Sequence, residues 1–148
     1  MKKIGLILTL SLVGFFYSNT SKAQLVLQFG YENIFQGAYV GAGYIFADRV
    51  MLTGEVGLGS EFLIPKADLA VRFLRLRESE LDFYIGAGYG YTFERIENVF
   101  PSYMYEGIVS MHYHGFIVGY ALGFYDPTNP ALSGVGDYHY FKIGVQFD

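Results

Sequence analysis

The sequence contains no cysteine and no tryptophan, and charged residues make up only 16% of its 148 residues. The lack of cysteine excludes disulfides, thiol catalysis and a lipid anchor on a cysteine behind a signal peptide. Beyond residue 23 the chain also lacks any apolar run of about 20 residues, the length that a membrane-spanning helix needs. If this protein enters a membrane, it must therefore do so with strands.

The first 23 residues have the pattern of a cleaved secretory signal peptide. Lys2 and Lys3 give a basic start, residues 4–17 are mostly apolar, and a small-x-small cleavage site ends at Ala23. We expect a single domain over residues 24–148, which carries seven basic and 14 acidic residues. This acidic balance argues against nucleic acid as a partner, because nucleic-acid binding needs a basic surface.

Residues 81–93 show the pattern that recurs along the chain. The odd positions, from Leu81 to Phe93, are apolar or aromatic, whereas the even positions are mostly glycine or polar. Because strand side chains alternate between faces, this segment predicts a strand with one apolar face. Its 13 residues can cross a bilayer as a tilted strand, which takes about 9–11 residues.

The same alternation predicts eight strands in an all-β, up-and-down antiparallel barrel. They cover residues 24–32, 37–46, 50–59, 66–76, 81–93, 103–113, 116–125 and 138–147. The connections after strands two, four and six are tight. The other four, at residues 33–36, 59–65, 94–102 and 126–137, include the three longest. Outer-membrane barrels have this asymmetry between short periplasmic turns and longer outer loops.

Prolines support these boundaries, because a proline cannot donate a hydrogen bond to a strand ladder. All four prolines fall in predicted connections, at residues 65, 101, 127 and 130. Binding residues concentrate on loops held by a rigid scaffold. We therefore expect any surface partner to meet the loops that contain Arg95, Pro101, Pro127 and Asn129.

Alternation does not say which face of the barrel is outside, but side-chain volume does. The apolar faces carry far more bulky residues than an eight-stranded interior can hold, and no formal charge. The opposite faces carry ten glycines, which a narrow interior accommodates. We predict that the apolar face contacts lipid and that aromatic girdles lie near the strand ends. The girdle candidates are Tyr31, Phe46, Tyr91, Phe93, Tyr103, Tyr113, Phe124 and Phe147.

Gly-Ala-Gly-Tyr occurs at residues 41–44 and again at 86–89, and the last strand is aromatic. In this pattern residues 24–148 resemble the small outer-membrane β-barrels of the OmpA transmembrane-domain and OmpX type. The resemblance implies a barrel in the bacterial outer membrane, with outer-membrane lipid and the barrel-assembly machinery as partners. Members of this family differ in role, so the resemblance does not fix a function. We expect no enzyme activity, metal or cofactor, and a structural or surface-interaction role through the loops. Family members usually end on an aromatic residue, whereas Asp148 follows Phe147 here.

Five charged residues are predicted to point into the barrel. They are Glu55, Asp68, Arg72, Asp82 and Lys142. The first four lie on neighbouring strands and are expected to meet, while closure of the barrel brings Lys142 near Glu32. A buried ion-pair plug is favoured over an ion path, because such an interior is only wide enough for side chains.

Three other functions remain open from the sequence. His112 and His114 could be metal ligands or an acid–base pair, because their spacing places them on one face if the strand continues through residue 114. Asn129-Pro130 resembles part of the outer-membrane lipid A deacylase pattern, with Ser133 and His139 as the nearby nucleophile and base. A soluble periplasmic lipid-binding barrel would need the apolar faces inside.

Overall fold

A computed structural model of the chain describes residues 23–32, 37–59, 62–94, 102–127 and 136–147. The strands are β1 (Gln24–Glu32), β2 (Gly37–Phe46), β3 (Val50–Leu58), β4 (Phe62–Leu76), β5 (Leu81–Tyr91), β6 (Phe93–Glu94), β7 (Ser102–Tyr113), β8 (Phe116–Pro127) and β9 (Gly136–Phe147). A single 3₁₀ turn, Arg77–Ser79, links β4 to β5. No helix in these ranges is long and apolar enough to cross a membrane.

The strands form a closed, all-antiparallel, up-and-down barrel, as the alternation predicts. Closure follows from β1, which pairs with β2 on one side and with β9 on the other. Eight long strands make the wall, and the two-residue β6 continues β5 because both pair with β4. The three tight turns lie at one end of the barrel, which we call the turn end, together with the start of β1 and the end of β9.

The predicted connection at residues 59–65 is wrong in its second half, because β4 begins at Phe62. Pro65 lies inside the strand, opposite Val56. On its other side the ladder with β5 and β6 is interrupted between Lys66 and Leu63, so the missing N–H falls in a gap. Pro127 is likewise the last residue of β8 rather than a loop residue. Pro101 and Pro130 lie outside the described residues.

A β-bulge in β4 changes which side chains face outward near the turn end. Phe73 is the extra residue between Arg72 and Leu74 in the pairing with β5. Phe73 and Leu74 therefore both lie exposed on the outer face, and Arg75 takes the inner register that Arg72 has before the bulge. The regular alternation predicted for residues 66–76 fails here, because one inserted residue reverses the facing of all that follow.

The apolar faces point outward, as the volume argument predicts. Twenty-eight large hydrophobic side chains of the described residues are exposed, so they do not form a shared core. Tyr89, Phe116 and Ile143, for example, are 48%, 66% and 61% exposed. The interior holds two smaller apolar layers. One layer lies towards the end opposite the turn end, which we call the loop end, and consists of Tyr39, Ile64, Met104, Ile108, Ala121, Tyr138 and Tyr140. The other layer lies towards the turn end and consists of Val26, Ile45, Met51, Ala70, Tyr84 and Ile117.

Some inward glycines lie in close contact with the neighbouring strand, and this makes a testable contrast. A Cβ on Gly86 would lie 2.6 Å from Ala70 Cα, whereas a Cβ on Gly54 would meet no atom within 4 Å. We expect Gly86→Ala to lower the free energy of unfolding by about 1–3 kcal/mol through overpacking. Gly54→Ala, the matched control, should be neutral or slightly stabilising. Denaturant unfolding of both variants checks this, and equal stabilities would contradict the close approach.

Candidate functional site

A cluster of five buried charges fills the middle of the barrel. We call it the interior charge cluster, and it consists of Glu55, Lys66, Asp68, Glu106 and Lys142. Four strands supply it: β3, β4, β7 and β9. Three carboxylates face two ammonium groups, so the cluster carries one excess negative charge when all five groups are ionised.

Lys142 crosses the interior from β9 and binds all three carboxylates. Its Nζ lies 2.7 Å from Glu55 Oε1 and 3.4 Å from Glu106 Oε1, and it also donates to Asp68 Oδ2. The Lys142 side chain is only 3% exposed. This single ammonium group therefore neutralises charge from three different strands, in a place where an unpaired carboxylate would be costly.

Lys66 is the second cation of the cluster and is held by acids and aromatic rings together. Its Nζ lies 2.9 Å from Glu106 Oε2 and 3.4 Å from Glu55 Oε2, and it donates to the Tyr140 hydroxyl. The same ammonium lies 4.1 Å from the ring centre of Tyr39 and 4.0 Å from that of Tyr140. Cation–π attraction is stronger where water is excluded, so the two rings add to the ion pairs.

Tyrosine hydroxyls add hydrogen bonds to carboxylate oxygens that the two lysines also contact. Tyr138 donates to Glu106 at 2.8 Å, and Tyr140 lies within hydrogen-bond distance of both Glu106, at 2.7 Å, and Glu55, at 3.2 Å. Asp68 Oδ1 has no hydrogen-bond partner among the described residues. The network is therefore dense around Glu106 and incomplete at Asp68.

Glycines beside the cluster make the room that it fills. Gly88 on β5 lies between Asp68 on β4 and Glu106 on β7 in the sheet. A Cβ at Gly88 would lie 2.7 Å from Glu106 Cγ, and a Cβ at Gly41 would lie 2.7 Å from Glu55 Cγ. Because these inner-face glycines have no side chain, they leave space for long charged side chains from neighbouring strands.

The five predicted interior residues divide into two groups. Glu55, Asp68 and Lys142 belong to the interior charge cluster, whereas Arg72 and Asp82 form a separate ion pair of 3.0 Å at the turn end. The expectation that all the acids meet Arg72 is therefore wrong. The bulge accounts for part of the difference, because it places Arg75 beside Asp82 as a second partner at 3.5 Å.

Lys66, Glu106 and the two inner tyrosines of β9 are cluster members that the sequence reasoning missed. Glu106 lay on a predicted inner face, and Lys66 opened a predicted strand. A usable signal was present, because Lys66 is the direct cross-strand partner of Glu55. Neighbouring strands alone, however, could not bring Glu106 to Lys142, since that contact crosses the interior.

Three carboxylates close together are also the kind of ligand set that a divalent cation takes. One oxygen from each of Glu55, Asp68 and Glu106 lies within 4.8 Å of the others. Both ammonium groups of the cluster stand among these oxygens, so they supply the positive charge that a metal ion would bring. Two of the three carboxylate charges are thus balanced by lysines within the cluster itself.

The two candidate metal-binding histidines are separated by the end of β7. His112 is buried and contacts the Ser110 hydroxyl at 3.1 Å and Gln146 Oε1 at 3.2 Å. His114 lies in the tight turn with φ +48° and places Nδ1 2.9 Å from Glu80. The strand ends at Tyr113, as predicted, so it does not continue through residue 114 and the two histidines do not share a strand face.

The residues of the deacylase alternative are only partly described. Ser133, Asn129 and Pro130 lie outside the described residues, as do Arg95 and most of the predicted outer connections. His139 lies on the exposed face of β9, with its ring stacked 6.2 Å from that of Tyr120. This places the candidate base on the outer wall of the barrel.

Comparison with solved structures finds barrels of similar fold, among them the two that follow. The N-terminal β-barrel domain of Pseudomonas aeruginosa OprF, known from a crystal structure, superposes with a TM-score of 0.59 at 14% identity. The alignment covers 84% of this chain and 96% of that one. A de novo designed protein, TMB2.3, solved by NMR in solution, gives a TM-score of 0.52 at 10% identity, covering 88% and 98%. This chain shares their fold.

At these identities the likeness is one of fold alone. No family model matches the chain, and no curated protein matches its sequence. The similar structures are small barrels, and one of them is a domain of a bacterial protein. The activity and partners of the present chain therefore have to be argued from the chain's own residues.

Proposed function

We propose that this protein is a small, non-enzymatic barrel of the bacterial outer membrane, with a plugged interior and a structural or surface-interaction role. Residues 1–23 would be removed as a signal peptide, and residues 24–148 would insert through the barrel-assembly machinery. Both termini and the turn end would face the periplasm. The loops at the other end would face outward and meet a surface partner.

The observation that carries this proposal is the continuous apolar outer wall. The wall consists of the outward residues of every long strand, and no lysine, arginine or carboxylate interrupts it in mid-strand among the described residues. In water, so much exposed apolar surface would drive association. In a bilayer, the same wall is the surface that lipid tails require, and the closed sheet leaves no edge unsatisfied.

Aromatic side chains at both ends of the wall support a membrane location. Tyr31, Phe93 and Phe124 are exposed at the loop end, and Tyr113 and Phe147 at the turn end. Such rings suit the boundary between lipid tails and head groups. The wall between the two groups is the hydrophobic band of the proposed barrel.

The interior supports a structural role over transport or lipid binding. A carrier of lipid needs an apolar cavity, whereas the middle of this barrel holds five buried charges and three tyrosines in contact with one another. The one described residue of the candidate Ser–His pair, His139, lies on the outer wall. This arrangement favours a role that the loops carry out, without an enzymatic centre.

Fractionation combined with heat-modifiability on a gel tests the proposal. We expect the full chain, expressed in a bacterium with two membranes, to reach the outer-membrane fraction. Its unheated band should migrate differently from its heated band. A variant that lacks residues 2–23 is the matched control and should stay in the cytoplasm. Recovery of the full chain in the soluble periplasm would contradict the proposal and favour a lipid-binding barrel.

A further inference from the structure

The turn end of the barrel carries an arginine-lined pocket. Its volume is about 310 Å³, and we call it the arginine pocket. The residues that line it are Arg49, Arg72, Phe73, Leu74, Arg75 and Arg77. Four of the six described basic residues thus surround one small space, and no carboxylate is among the lining residues.

Two of these guanidinium groups have no acidic partner. Arg72 and Arg75 both contact Asp82, at 3.0 and 3.5 Å. Arg49 and Arg77 form no ion pair with any carboxylate of the described residues. The pocket therefore holds two guanidinium groups that no direct ion pair occupies within the described residues, each a planar donor that fits a phosphate in a bidentate manner.

The floor of the pocket is apolar because of the bulge in β4. Phe73 and Leu74 are 60% and 43% exposed, and both lie on the outer face. An ordinary alternation would have turned Leu74 inward. The bulge instead adds two consecutive apolar side chains of the outer face to the lining of the pocket.

Phe73 also lines a second depression, which runs along the outer wall away from the arginines. This outer groove has a volume of about 250 Å³. It continues past Phe83, Val109, Met111 and Phe141, across β5, β7, β8 and β9. The positively charged pocket and the apolar groove thus meet at one side chain, with the charges at the turn end and the apolar surface leading towards the middle of the wall.

We propose that the arginine pocket binds the phosphate of an anionic phospholipid, whose acyl chain lies in the outer groove. This assignment depends on the proposed membrane location. A soluble phosphate would use the arginines but leave Phe73, Leu74 and the groove exposed. A phospholipid fits both the arginine pocket and the outer groove, because one molecule carries a phosphate and an apolar chain. The two are joined near the membrane surface, where the outer wall ends.

Lipid titration of the folded chain in detergent tests this. Native mass spectrometry would count bound dimyristoyl phosphatidylglycerol, with dimyristoyl phosphatidylcholine as the zwitterionic comparison. We expect selective retention of one phosphatidylglycerol molecule. In the double variant Arg49→Gln/Arg77→Gln, about 30-fold more lipid should be needed, because two cationic contacts of about 1 kcal/mol each are lost.

Arg95→Gln is the charge control, because it removes an arginine that is distant in sequence from both turns. Equal weakening by this variant, or equal binding of both lipids, would overturn the proposal. Full displacement of the lipid by inorganic phosphate would also overturn it, since that result marks an ion site. The heat-modifiable band is recorded for every sample. A chain that folds in water without detergent would instead refute the membrane proposal, and the lipid site with it.

Discussion

Replacing Lys142 by methionine should lower the free energy of unfolding by about 3–5 kcal/mol, the usual cost of breaking a buried ion pair by removing one partner. The Lys142 ammonium contacts Glu55, Asp68 and Glu106, and its side chain is 3% exposed. Without it, three carboxylates share the single ammonium of Lys66. Denaturant unfolding in detergent or vesicles would measure the loss.

A partner mutation separates lost charge from lost packing. Asp68→Asn removes one of the two excess negative charges that Lys142→Met leaves, and it keeps an oxygen that can accept a hydrogen bond. Lys142→Met/Asp68→Asn should therefore recover part of the stability. Arg75→Met is the control, because its ion pair is longer and its side chain is 47% exposed, so its effect should stay within about 1 kcal/mol. Equal losses for Lys142→Met and Arg75→Met would contradict the plug, as would a stable open channel in the unaltered protein.

Placing an arginine in the middle of the outer wall should cost about 2–4 kcal/mol of folding free energy in a bilayer. Ile85 is the position to use, because it is 49% exposed and lies between Val71 and Val109 in the sheet. All three of these side chains point outward, so an arginine there has only apolar neighbours. Unfolding of Ile85→Arg in lipid vesicles would measure the cost.

Leu76→Arg provides the matched control at the end of the wall. Leu76 is 44% exposed, similar to Ile85, but it is the last residue of β4 at the turn end. Near the membrane surface the same substitution should cost only about 0–1 kcal/mol. In a soluble barrel, both arginines would point into water and neither would matter. The depth dependence therefore distinguishes a lipid-facing wall from a water-facing one.

The strands could be predicted from the sequence because alternation is a local property. Each long strand could be recognised from the alternation within its own residues, and the predicted bounds of β2 agree with those in the structure. The start of β4 was missed because Pro65 suggested a loop. The ladder gap that tolerates Pro65 lies opposite the end of β5, which is distant in sequence. The bulge at Phe73 was missed because it exists only as a mismatch between two paired strands.

The contacts of the interior charges could be predicted only in part. Reasoning from neighbouring strands joined Asp68 to Arg72, yet a barrel this narrow also lets long side chains reach across its interior. Lys142 and Glu55 are 87 residues apart and meet at 2.7 Å. The arginine pocket needed the tertiary structure as well, since it depends on the bulge and on two separate turns.

The amino-acid sequence alone determined that this chain forms two-faced strands and that its bulky face lies outside, because that face holds more volume than a small barrel can enclose. The tertiary structure decided which charges meet. Barrel closure and the exact register of each pair place Lys66, Glu106 and Lys142 around one point, and no run of neighbouring residues contains that information.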